Sequence, residues 1–149
     1  MRTRIQRLLV HRDEQGFTLI ELLIVIVIIG ILAAIAIPAF VAQRSKGYDA
    51  AAKSDVRDLA NFEEIYLTDF GEYGSLADVL ANEPRISASH GVTLTVVSYE
   101  GATGYCLSAH HPISKYTWYY DPQAGGLQPP GSTGCPVSTT GLPGGSITG

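Results

Sequence analysis

Charge is scarce in this chain: Asp, Glu, Lys and Arg make up only 16% of its 149 residues. Those present lean acidic, 14 carboxylates against 10 Lys and Arg, which excludes nucleic-acid binding through a broadly basic surface. Cysteine occurs only at Cys106 and Cys135, without a Cys-x-x-Cys pair, so a finger or ribbon zinc site is excluded. His110 and His111 lie near Cys106 and His90 lies upstream, but adjacent histidines on an extended strand point to opposite faces, so no metal site is expected. Ser108, His110 and Asp121 supply the residue types of a hydrolase triad, yet no nucleophile elbow or oxyanion motif surrounds them, and catalysis is not expected. A phosphate-binding loop is also lacking. No cofactor is implied.

What the chain has instead is one long apolar segment. From Leu22 to Ala42 there is no charged residue. At about 1.5 Å per helical residue this run is long enough to cross a hydrocarbon core of roughly 30 Å. Arg2, Arg4, Arg7 and Arg12 precede it and only Arg44 and Lys46 follow closely, which predicts a cytoplasmic N-terminus and an outward-facing C-terminal part. The first 16 residues carry four arginines against Asp13 and Glu14, a surplus of two, so the remainder would carry −6 against −4 for the whole chain. Outside the membrane, two cysteines suggest a disulfide, the alternative being two free buried thiols.

An ordinary membrane anchor, a secretory signal cut at Ala34-Ile35-Ala36 and a buried core helix all fit an apolar run. Gly16-Phe17-Thr18-Leu19-Ile20-Glu21 separates them, because an anchor has no need of a carboxylate costing up to about 3 kcal/mol in a membrane helix. Thr18 and Glu21 have capping-box spacing, which would start a helix at Thr18 and partly explain the glutamate. If the chain is cut before Phe17, a new α-amino group lies four residues from Glu21 and needs neutralising in an apolar setting.

A short basic leader, a glycine and a phenylalanine-led apolar run with glutamate fifth, here FTLIELLIVIVIIGILAAIAIPAF, resembles the type IV pilin and pseudopilin superfamily. The resemblance implies cleavage between Gly16 and Phe17 by a prepilin peptidase, and N-methylation of Phe17 by the same enzyme. It also implies pairing of Glu21 with the Phe17 amine of a neighbouring subunit. Gly30 and Pro38 weaken a helix by about 1 and about 3 kcal/mol, and in the family such a stretch can lose helical structure on polymerisation. Gly30 and Ala34 form a small-xxx-small pair that permits close helix approach.

The expected organisation is a cleaved leader over 1–16, a transmembrane or filament-core half-helix over 17–43 and an amphipathic half-helix over 44–70. A head with a disulfide-closed loop and a flexible tail occupies 71–149. Ala52, Val56, Leu59, Tyr66 and Phe70 recur at helical spacing while Asp55, Asp58, Glu63, Glu64 and Asp69 dominate elsewhere, so one helix of roughly 80 Å should run from Thr18 to Phe70. A short helix is expected over Ser75–Leu80, stopped before Pro84, and strands over Val92–Tyr99, Tyr105–Ala109 and Tyr116–Tyr120. The fold class is therefore α+β, a long helix against an antiparallel sheet of three or four strands. A Cys106–Cys135 bridge, which pilins of this kind often have, would be worth roughly 3 to 4 kcal/mol, and the tail Pro136–Gly149 reads as flexible.

The function implied is a structural pilus subunit for adhesion, motility or DNA uptake, held in the cytoplasmic membrane and then exported into a surface filament. Its partners would be copies of itself, the prepilin peptidase, the inner membrane, and an assembly platform with a separate ATPase motor. Two alternatives are a type II secretion pseudopilin, against which stands the lack of a C-terminal aspartate cluster, and a membrane-anchored binding module that never polymerises.

Overall fold

The computed structural model describes residues 16–138 and 140–149. The described residues fall into two units that divide between Ala39 and Phe40. Helix α1 is continuous from Leu19 to Phe70, with Pro38 inside it. In the first unit its large apolar side chains are all exposed.

In the second unit Ala52, Val56 and Leu59 of α1 are buried, as the helical spacing predicts, and with Ala60 they join a core completed by the sheet. The sheet has five antiparallel strands in the order β4-β3-β2-β1-β5. These are β1 (Thr93–Glu100), β2 (Gly104–His110), β3 (Trp118–Asp121), β4 (Gly126–Leu127) and β5 (Gly145–Thr148). Leu94 and Val96 of β1 and Tyr105, Leu107 and Ala109 of β2 enter the core, the alternation expected of strands with one face on a helix. Helix α2 (Leu76–Asn82) starts from a capping box in which Ser75 and Asp78 bond each other's backbone amides. It runs two residues past the expected end.

Four expectations are corrected. The tail is not a free end: Gly145–Thr148 pairs along β1 from Thr93 to Val96, and the Gly144 amide donates to the Val96 carbonyl at 3.0 Å. The glycines that read as flexible are what let it approach. A side chain on Gly144 would strike Val96, and one on Gly141, at φ +129°, would strike the Tyr99 backbone. The third strand begins at Trp118 rather than Tyr116, because the Ser114 hydroxyl donates to the Tyr116 carbonyl at 2.9 Å and accepts from its amide at 3.3 Å. Asp55 and Glu63, assigned to the polar face of α1, are buried within the same stripe as Val56 and Leu59. Phe70, assigned to the core face, is exposed and stacks on Tyr66 at the helix end.

Candidate functional site

Gly16, Phe17 and Thr18 precede the helix and are exposed. Thr18 caps it: the Glu21 amide donates to Thr18 Oγ1 and the Leu22 amide to the Thr18 carbonyl, both at 3.2 Å. This is half of a capping box. The return bond from the Glu21 carboxylate is not found among the described residues, and that side chain is exposed. The capping partner inferred from spacing therefore accounts for Thr18 and leaves the carboxylate available.

Above this cap, an 18-residue window of α1 reaches a mean hydropathy of 3.2 with none of it buried. A helix apolar on every side is stable in water only if something covers it, and length and composition allow a bilayer or other helices. Gly30, Ala34 and Pro38 lie in this exposed part, and a side chain added at Gly30 would meet nothing within 4 Å. The small residues thus leave a shallow strip on an otherwise bulky helix, the geometry that close helix packing uses.

In the second unit, Cys106 on β2 and Cys135 form a disulfide, with Cα atoms 5.8 Å apart. Asp121, offered above as a triad acid, is fully buried beside this bridge. It accepts hydrogen bonds from the amides of Gln123, Val137 and Ser138 and from the Ser138 hydroxyl, at 2.8 to 3.1 Å. Burial works to raise its pKa, but these bonds outweigh it and hold the carboxyl below its ordinary value. Neither Ser108 nor His110 is among its partners. His110 is exposed, with Nδ1 3.4 Å from Thr117 Oγ1, while His111 is buried and stacks on Tyr48 with ring centroids 3.7 Å apart. Asp121 is a clamp on the segment carrying Cys135. Among the described residues no group of three or more His, Cys, Asp or Glu is placed to hold a metal ion.

Glu63, like Asp55, is a buried carboxyl on the face of α1 expected to be apolar. Its Oε2 accepts from the Gly74 amide at 3.2 Å, and its Oε1 has no partner. Burial pushes its pKa up to about 7, the Gly74 bond opposing and the nearby Glu64 and Asp78 charges adding to the rise. Glu64 takes the hydroxyls of Tyr105 at 3.0 Å and Tyr73 at 3.3 Å, and burial, with the Glu64 charge, pushes Tyr73 up to about 12. Asp55 accepts from the Ser89 amide and hydroxyl at 2.7 and 2.8 Å, tying α1 to the approach to β1. The available signal was that positions 55 and 63 continue the 52, 56, 59 stripe.

Comparison with known proteins adds to this geometry. Residues 11–37 match the prokaryotic N-terminal methylation motif. The chain is 41% identical over 100 residues to the type IV wide pilus major component PilA4 of Thermus thermophilus, covering 67% of this chain and 76% of that one. It is 33% identical over 85 residues to the type IV major pilin protein PilA of Myxococcus xanthus, covering 57% and 39% respectively. It is also 37% identical over 76 residues to the type II secretion system core protein G of Aeromonas hydrophila, covering 49% and 53%.

Proposed function

The chain belongs to the type IV pilin and pseudopilin family, and from that membership we propose that it is a structural subunit of a type IV pilus, polymerised through its N-terminal helix. The observation that carries this reading is the exposed apolar helix headed by Gly16-Phe17 and Glu21, inside the segment that matches the methylation motif. We assign residues 1–16 to a leader removed by a prepilin peptidase, 17–43 to the membrane span and later filament core, 44–70 to the amphipathic half-helix and 71–149 to the head. Met1–Gln15 lie outside the described residues. Phe17 becomes the methylated N-terminus and Glu21 neutralises the amine of a neighbouring subunit. Gly30 to Pro38 is the stretch able to lose its helix in the filament. The subunit waits in the cytoplasmic membrane and is extended into a surface filament by an assembly platform and a separate ATPase.

A pilus is favoured over a secretion pseudopilus by the extent of similarity. The match to the wide-pilus component runs over 100 residues at 41% identity, against 76 residues at 37% for the secretion protein. The test is N-terminal sequencing and intact mass of protein sheared from the cell surface. A start at N-methylated Phe17 in that fraction is the expected result. A start at Met1 or after Ala36, or protein confined to the membrane, overturns the reading in favour of an anchor, a secreted protein or a pseudopilin.

A further inference from the structure

Beyond residue 16 the chain has six Lys and Arg, and four of them, Arg44, Lys46, Lys53 and Lys115, lie on the stretch of α1 from 44 to 53 or in the β2–β3 loop bonded to it. Ser45 Oγ donates to the Ile113 carbonyl at 3.2 Å, the Ser114 hydroxyl bonds the Asp49 carboxylate, and His111 stacks on Tyr48. Three contacts therefore fix the loop to the turn of α1 that begins three residues after Ala42, where the uncharged run ends. Within the loop Ile113 is 47% exposed, and Pro112 and Lys115 beside it are exposed. Arg44 and Lys46 are exposed on the adjoining helix. Between Val41 and Lys53 the single carboxylate is Asp49, which is occupied by Ser114 and, at 3.2 Å, by Trp118 Nε1.

Arg44 and Lys46 stand on the side of the span that orientation requires to be the poorer in cations. They do not help set the topology, which leaves a local role. An exposed aliphatic side chain in a loop bonded to Ser45, between Arg44 and Lys46, next to the end of a membrane span, has the makeup of an interfacial anchor.

We propose that the loop His111–Tyr116, together with Arg44 and Lys46, is a foot that seats the head on the surface of an anionic phospholipid bilayer. Ile113 enters the headgroup boundary, and Arg44, Lys46 and Lys115 take the lipid phosphates. The inference rests on the membrane-inserted state given under the proposed function.

The test uses the processed full chain reconstituted into vesicles. Both native cysteines are in the disulfide, so Ile113→Cys supplies the one thiol for a polarity-sensitive fluorophore. Ala102→Cys is the control, in the turn bonded to Tyr73 beyond the other end of α1. In phosphatidylglycerol–phosphatidylcholine vesicles the label at 113 should be blue-shifted and quenched by lipids brominated near the headgroup, and the label at 102 should not. Each cation is worth roughly fivefold in the seating equilibrium, so Arg44→Glu, Lys46→Glu and Lys115→Glu together should weaken it by on the order of 100-fold or more. A label at 113 that stays water-exposed in vesicles with which the chain co-floats overturns the foot alone. So does one that responds to duplex DNA and not to vesicles, or that is indifferent to lipid charge. Failure of the chain to co-float overturns the membrane reading as well.

Discussion

Two buried carboxyl groups of the second unit, Asp121 and Glu63, have opposite environments and so pull its stability in opposite directions with pH. Asp121 is held below its ordinary pKa by four hydrogen bonds, so its contribution is present above the usual aspartate range and is lost on acidification. Glu63 titrates near 4.5 when unfolded and near 7 when folded. Between those values the folded chain holds a proton that the unfolded chain has released, so the stability linked to Glu63 is whole below pH 4.5. It falls as pH rises, by about 3 kcal/mol once pH exceeds 7. Glu63→Gln keeps an acceptor for the Gly74 amide and removes the ionisation. It should raise stability above pH 7 by about 3 kcal/mol, change little near pH 4, and flatten the decline between. Urea unfolding of the folded chain from pH 4 to 8 checks this, and a mutant that keeps the wild-type slope would place the titration elsewhere.

The elements differ in how much of their placement was local. Val56 and Leu59 announce the buried face of α1 through spacing alone, and Ser75 with Asp78 announces α2 through its cap. β1 and β2 are legible because Leu94, Val96, Tyr105 and Leu107 alternate with more polar or differently covered neighbours. β4 and β5 carry almost no such signal. Gly145-Ser146-Ile147-Thr148 becomes a strand because β1 offers an unpaired edge and Gly144 fits against Val96, conditions set by residues about fifty positions away. The loop contact between Ser45 and Ile113 spans 68 positions and was equally unreadable. The proposed processing site is the contrasting case, since Gly16, Phe17 and Glu21 lie in a linear motif that needs no fold to be seen.

If β5 belongs to the fold, ending the chain after Pro143 should strip β1 of its ladder partner and of Ile147, which packs on the core. The Gly144 amide bond to Val96 and the Leu76 amide bond to the Gly144 carbonyl go as well. Several net hydrogen bonds and one aliphatic contact together are worth roughly 3 kcal/mol. The urea midpoint should fall accordingly, with the disulfide still formed by mass. An unchanged midpoint would mean that the tail rests on the sheet without supporting it.

At the scale of the molecule, one side chain in the apolar helix is asked to serve two environments. In the proposed membrane-inserted subunit Glu21 would lie near the start of the span, where an ionised carboxylate costs up to about 3 kcal/mol, less toward the interface. Thr18 caps the helix through the Glu21 amide and leaves the carboxylate unengaged by the rest of the described chain. Replacing it should therefore not hurt insertion and should ease it by a fraction of that cost. In the proposed filament the same carboxylate would face the Phe17 amine of a neighbour, and losing it would strand a buried cation, a penalty of several kcal/mol at every subunit. Glu21→Ala is thus expected to leave the processed protein in the membrane at normal or raised level while surface filaments disappear or lose order. Membrane-fraction blotting beside electron microscopy of sheared material reads both halves. Abundant regular filaments from Glu21→Ala would show that subunit register is set elsewhere on the helix. Loss from the membrane fraction would show instead that the carboxylate is needed before assembly begins.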